Sequence, residues 1–209
     1  MWKAVKSGHP QHTIWLMRHG ESTWNAAGLV QGQADGPVLT ETGRLQAETV
    51  AEVVRSLPIR TLVTSDLARA QETAAIIGKK LSVPWVDDGQ LRERNFGSAE
   101  GTPLGELPTE WSGIRDGLVV DAEARPPGGE SLEGLSRRVR TFFSRLAQVE
   151  HDGGVLAVTH GGFIRVALAQ CDGVPVAGMP WGDAPNGGLW SFGFHEICPP
   201  ALLQGTGAL

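Results

Sequence analysis

Cysteine is scarce. Only Cys171 and Cys198 occur among 209 residues, and neither has a companion cysteine or histidine at ligand spacing. That excludes a disulfide-stapled scaffold and a zinc site, and it suits a reducing compartment. Long apolar runs are missing too. Nothing approaches the ~18 residues that a membrane span needs, and the run nearest the start, Ile14 to Met17, is too brief for the core of a signal peptide. The expected location is the cytoplasm, with no membrane partner. Positive charge is sparse and scattered: 18 basic residues stand against 23 acidic ones, a formal net charge of -5. The footprint of a nucleic-acid binder is therefore absent, and no nucleic acid is expected as a partner. There is no H-E-x-x-H, no EF-hand loop, no paired-carboxylate metal pattern and no Walker loop. Neither a metal nor a cofactor is expected. Internal repeats and low-complexity tracts are absent as well. Lysine is rare beside arginine, a bias that suits a GC-rich bacterial genome.

What is present reads as one globular domain over 1–209, with 41% hydrophobic and 20% charged residues and ample chain for a sizeable core. Short apolar strands alternate with amphipathic helices. Thr13 to Met17 reads as a buried strand. Thr40 caps a helix whose apolar positions are Leu45, Val50, Val53, Val54 and Leu57, stopped by Pro58. Thr61 to Thr64 is the next strand, followed by Ser65 as a cap and a helix lined by Leu67, Ala70, Ala74, Ile77 and Leu81. Val83 to Val86 is a weaker strand. Thr102 to Pro127, rich in proline and glycine, reads as a variable insertion or lid. From Ser131 a strong stripe of Leu132, Leu135, Val139, Phe142, Phe143, Leu146 and Val149 predicts a helix. Val155 to Val158 is a strand, Phe163 to Ala169 a helix and Leu189 to Phe194 a last strand. This order predicts an α/β fold, a three-layer α/β/α sandwich with a mainly parallel central sheet.

In such a sheet, ligands bind beyond the carboxyl ends of the strands. Arg18 and His19 follow the first strand, Ser65 and Arg69 the second, His160 and Gly161 the third. Two arginines, two histidines and glycine-rich backbone converging there would bind a compact dianion, because guanidinium forks match phosphate oxygens and helix-start amides add donors. A neutral imidazole in such surroundings is a competent nucleophile toward phosphorus. A nearby carboxyl group would donate the proton that the leaving oxygen needs.

These residues resemble the histidine phosphatase superfamily, which includes cofactor-dependent phosphoglycerate mutases and broad-specificity phosphatases. LMRHGESTWN, Leu16 to Asn25, is similar to the signature around the phosphorylated histidine. The resemblance implies that His19 is the nucleophile, with Arg18 and Asn25 as phosphate ligands. SDLARAQETA, Ser65 to Ala74, resembles a second signature and implies Arg69; VTHGG, Val158 to Gly162, resembles a third and implies His160. LRERNFGSAEG, Leu91 to Gly101, resembles the segment with the acid and base carboxylate, which implies Glu93 rather than Glu100. Gln31 and Gly32 fall at substrate-contacting positions, and Gly161 adds backbone donors.

Glu93 and His160 lie 67 positions apart, too few for the insertion that encloses a mutase intermediate, and QGQAD, Gln31 to Asp35, resembles phosphatases. ERNFG, in contrast, resembles a mutase segment whose arginine, here Arg94, holds a substrate carboxylate. The resemblance therefore implies a phosphate monoester hydrolase working through a phosphohistidine on a small phosphorylated metabolite, a sugar phosphate or phosphoglycerate-like compound. The alternatives are a phosphoglycerate mutase and a non-catalytic phosphate-binding domain. Oligomeric state is open, with a homodimer as a possible assembly. His9, His12, His151 and His195 have no mutual ligand spacing and read as tail, surface or core residues. Trp24, Trp111 and Trp181 are candidate pocket walls. The arginines at 137, 138, 140 and 145 read as the solvated face of their helix.

Overall fold

The computed structural model describes residues 13–149 and 153–193. His9, His12, His151, His195 and Cys198, discussed above, lie outside the described residues. The chain runs β1 (Thr13–Arg18), α1 (Thr23–Ala26), α2 (Glu41–Val54), β2 (Ile59–Thr64), α3 (Ala68–Leu81), β3 (Trp85–Asp87), α4 (Thr109–Ser112), β4 (Ile114–Arg115), β5 (Leu118–Val119), α5 (Leu132–Leu146), β6 (Gly154–Thr159), α6 (Gly161–Cys171) and β7 (Leu189–Gly193). Five strands form the main sheet in the order β3-β2-β6-β1-β7. β1, β2, β3 and β6 are parallel, and β7 joins the edge antiparallel to β1. A mostly parallel sheet covered on both faces is what the alternation of short strands and helices requires.

Alternation along β1 divides its side chains between two cores. Trp15 and Met17 pack with Ala51 and Val54 of α2 and Ala70, Ala74 and Ile77 of α3. Ile14 and Leu16 face the other way, onto Leu135, Val139 and Phe143 of α5 and Phe163 and Ile164 of α6. β6 lies at the centre and is buried at all six positions, which explains its unbroken apolar run. Thr40 caps α2 as predicted and Ser131 caps α5, each accepting a hydrogen bond from the N3 amide, Gly43 and Gly134 respectively.

The inward face of α2 differs from the expectation. Leu45 is 58% exposed and Val53 41%, while Gly43, Ala47, Ala51 and Val54 are buried. The reason is close approach: a Cβ on Gly43 would lie 2.1 Å from the Glu21 carbonyl oxygen. Small residues recurring at helical spacing let α2 press against the loop after β1, and a pattern built on large apolar residues misses that face. The 102–127 stretch contains a 3₁₀ turn at Leu104–Glu106, then α4 and the two-stranded ribbon of β4 and β5.

Candidate active site

Sheet order explains the convergence. β6 lies between β1 and β2, so the residues after these three strands are neighbours in space. The pairing continues one residue past each strand, with the His19 amide donating to Thr159 O (3.0 Å) and the Ser65 amide to Val158 O (2.9 Å). His19 and His160 are both buried. Their ring centroids stand 5.0 Å apart, edge to face.

The protonation of His19 follows from its partners. Nδ1 lies 2.7 Å from the Gly20 carbonyl oxygen, which can only accept, so Nδ1 carries the proton. Nε2 then presents its lone pair, and it accepts from Arg69 Nε at 3.3 Å. Burial, followed by the charges of Arg69 and Arg18, holds the imidazole well below its ordinary range. His160 is held down in the same way, by burial first and then by Arg69, His19, Arg18 and Arg138. Its Nε2 meets Ser65 Oγ at 2.8 Å. Ser65 Oγ also accepts from the Leu67 amide at 3.4 Å; a hydroxyl proton donated to His160 Nε2 would leave the ring proton on Nδ1. Ser65 is thus a histidine partner, and the helix cap expected of it falls to Leu67.

Arg69, in the first turn of α3, reaches back over the helix start. It donates through Nη2 to Gly32 O (2.7 Å) and through Nη1 to Ala34 O (3.3 Å). Gly32 is required in its backbone conformation: φ is +51°, and a Cβ would lie 2.0 Å from a Glu100 carboxylate oxygen. Arg18 donates through Nη1 to Ala184 O at 2.5 Å. Burial lowers both guanidinium pKa values to about 10, so both stay charged at neutral pH. Among the described residues, the buried side-chain polar atoms with no hydrogen-bond partner are Arg18 Nε and His160 Nδ1. Both belong to this one cluster. Unpaired buried polar atoms are costly; an anion with several oxygens would satisfy Arg18 Nε, and His160 Nδ1 as well when that atom carries the ring proton.

Glu93 lies against the same cluster, its charge facing Arg18, Arg69 and Arg165. Its carboxylate accepts from the Arg94 amide (2.8 Å) and from the Gly162 amide (2.9 Å) at the start of α6, where the helix dipole favours negative charge. Glu100 instead accepts from the Gln33 and Phe96 amides and braces loops. Gly161 admits the cations: a Cβ there would lie 2.7 Å from Arg165 Nη1 and 3.5 Å from Arg18. Gln31 accepts from Ser22 Oγ at 2.6 Å. Asn25 Oδ1 accepts from the Ser22 amide and from Asn186 Nδ2.

Arg94 corrects the sequence reading. It is 1% exposed and donates to the carbonyls of Glu130 (2.8 Å), Ser112 (2.7 Å), Trp111 (2.8 Å) and Ala124 (2.6 Å), with Phe96 under its guanidinium. A guanidinium engaged by four carbonyls ties the 111–130 segment together and is not offered to a substrate carboxylate. Arg94→Met should therefore lower stability by about 3 kcal/mol or more, since each orphaned carbonyl costs ~1–3 kcal/mol. Urea unfolding checks this; unchanged stability with a raised KM would restore the substrate role.

Sequence reasoning missed three residues. Asn186 donates to His19 O (3.1 Å) and Gly20 O (3.4 Å), fixing the loop that carries His19 from a turn that no periodicity marks. Arg165 stacks on Trp181, 4.9 Å from its ring centroid. Arg138, read as solvated, grips the Glu93 segment.

The buried imidazoles have a consequence for pH. In the unfolded chain each takes up a proton as pH falls through about 6.5, whereas the folded chain keeps both neutral. The unfolded state then binds more protons, so stability falls with falling pH below that point, by up to about 1.4 kcal/mol per unit for each histidine. Urea unfolding at stepped pH should show the slope, and His160→Gln should roughly halve it. An unchanged slope would contradict the burial effect.

A family model described as the histidine phosphatase superfamily (branch 1) matches residues 14–202. The probable phosphoglycerate mutase GpmB of Yersinia pestis (strain Pestoides F) is 39% identical over 163 residues, 78% of this chain and 75% of that protein. Among solved structures, mycobacterial glucosyl-3-phosphoglycerate phosphatase has a TM-score of 0.75 at 31% identity, covering 86% of this chain and 89% of its own. The structure named mycobacterial hydrolase 1 has a TM-score of 0.76 at 31% identity, covering 86% and 90%. With the family match spanning nearly every described residue, this chain belongs to the histidine phosphatase superfamily.

Proposed function

We propose that the protein hydrolyses a phosphate monoester of a small metabolite in two steps through a phosphohistidine on His19. The observation that carries this reading is the placement of His19, buried with Nδ1 on the Gly20 carbonyl oxygen (2.7 Å) and Nε2 facing Arg69 Nε 3.3 Å away inside a cationic cluster. Nε2 attacks phosphorus in line while the phosphorus–oxygen ester bond breaks. Glu93, as the acid, gives its proton to the leaving alcohol oxygen. Water then attacks the phosphohistidine, Glu93 takes a proton from it, the phosphorus–nitrogen bond breaks and inorganic phosphate departs. Arg18, Arg69 and His160 Nδ1 donate to the oxygens that carry charge throughout, the main lever in phosphoryl transfer. Asn25, Gln31, Gly32 and Gly161 complete the substrate pocket.

A mutase reading draws support from the relative named a probable phosphoglycerate mutase. Against it stands Arg94, the residue whose resemblance to a mutase carboxylate ligand suggested that activity, because its guanidinium is engaged by backbone carbonyls. The test is a panel of sugar phosphates, phosphoglycerates and nucleotides, assayed for phosphate release and ranked by kcat/KM. Release of phosphate with no requirement for a bisphosphate is the expected result. Isomerisation of 3-phosphoglycerate that depends on catalytic 2,3-bisphosphoglycerate, with little free phosphate, would select the mutase.

A further inference from the structure

The arginines of α5 are not equivalent. Arg145 pairs with Asp88, and Arg140 pairs with Glu133 at 3.4 Å, both through substantially exposed side chains. Arg138 turns inward, its side chain 14% exposed. Its Nη1 donates to Gln90 O (2.7 Å) and Arg92 O (2.6 Å), and its Nη2 donates to Glu93 O (3.0 Å). Nε and Nη2 also grip the Glu130 carboxylate, at 3.1 and 2.7 Å. Glu130 in turn accepts from the Asn95 amide through Oε2 (3.3 Å), and its own amide donates to Asn95 O (2.8 Å).

The stretch held in this way lies outside the sheet. After the 3₁₀ turn at Gly89–Leu91 it runs without a strand partner, so no ladder fixes the carbonyls of Gln90, Arg92 and Glu93. One planar guanidinium takes all three and still pairs with a carboxylate, an arrangement that five donors permit and that the three donors of a lysine do not reproduce. The Glu93 carboxylate accepts from the amide of the next residue, Arg94, and from Gly162 across the site. Its position therefore follows the backbone at 92–94, which Arg138 clamps to α5 and which Gln33 Nε2 holds at a single point, Glu93 O (2.9 Å).

We infer that Arg138, braced by Glu130, is a positioning residue for Glu93, holding the carboxyl group where it meets the leaving oxygen. The inference rests on the reading of Glu93 as proton donor and acceptor. Displacement of about an ångström costs up to ~10²-fold in rate, within the ~10²–10⁴-fold that general acid catalysis supplies. The loss must depend on the leaving group, since nitrophenolate departs without a proton and an alkoxide does not.

The experiment compares Arg138→Met and Glu93→Gln with wild type, in rapid-quench reactions with p-nitrophenyl phosphate and with an alkyl phosphate such as glycerol phosphate. For Arg138→Met, phosphorylation by the alkyl phosphate should slow about 30-fold. With the nitrophenyl ester, the burst of nitrophenolate should keep its amplitude and stay within about threefold of the wild-type rate. The steady-state turnover that follows should be slow, because the base that activates water is misplaced. Arg138→Lys should recover only part of the alkyl rate. Equal losses on both substrates, or a burst amplitude that drops with the folded fraction, would mean a merely structural role and overturn the inference. If Glu93→Gln is selectively slow on the alkyl ester but Arg138→Met is not, the inference fails and the role of Glu93 stands. If Glu93→Gln shows no leaving-group dependence, the reading of Glu93 fails first. Should Arg138→Met not fold, Glu130→Gln carries the same comparison, with a selective loss of about fivefold on the alkyl ester expected and an equal loss on both substrates overturning it.

Discussion

His19→Ala should lower kcat by about four orders of magnitude or more, the scale seen when a covalent nucleophile is removed. The size follows from the geometry. His160, 5.0 Å away by ring centroid, should not replace it, because Ser65 Oγ holds its Nε2 at 2.8 Å in a fixed place apart from that of His19 Nε2. Folding should survive, since the deleted ring gives up one bond to Gly20 O and one from Arg69. Phosphate release from an aryl phosphate, measured beside urea unfolding, checks both halves. A folded His19→Ala protein with wild-type turnover would remove His19 from the chemistry.

Arg69→Met should be the next largest effect, a fall in kcat of about 10²–10³-fold, the loss typical of removing one preorganised donor to developing charge. The same guanidinium holds the 31–35 loop through Gly32 O and Ala34 O. The Gly32 carbonyl, buried, and the Ala34 carbonyl, part-buried, would lose their donor, so stability should fall by about 2 kcal/mol or more as well, at ~1–3 kcal/mol for each carbonyl. The two losses can be separated. Addition of inorganic phosphate should protect the wild type against urea far more than the variant. Equal protection would mean that Arg69 serves the loop and leaves the anion to others.

The parts of this molecule that were legible in its sequence are those governed by period and order. Unbroken apolar runs such as Gly154–Thr159 mark a doubly covered strand, and residues just past such strands converge because the parallel sheet places their carboxyl ends together. Arg18, His19, Arg69 and His160 were found in that way. Glu93 is singled out by resemblance, since nothing in local pattern separates it from Glu100; in the structure each accepts from two backbone amides, Glu93 from Arg94 and Gly162 and Glu100 from Gln33 and Phe96. The remainder depends on which way individual polar side chains turn. Arg138 looks like a surface arginine in a pattern and Arg94 like a substrate ligand by resemblance, yet each folds inward onto carbonyls that no strand or helix satisfies. Asn186 is equally silent, a turn residue whose amide braces a loop 166 positions away. The α2 face was misjudged because close approach selects glycine and alanine, which carry little hydrophobic signal.

The most direct test of the account traps the phosphoenzyme. Wild-type protein mixed with p-nitrophenyl phosphate and quenched in alkali should carry an alkali-stable, acid-labile phosphoryl group, which fragmentation of the peptides places on His19 and ³¹P NMR places on Nε2. Phosphate on His160, on a serine or on no residue while turnover continues would contradict it.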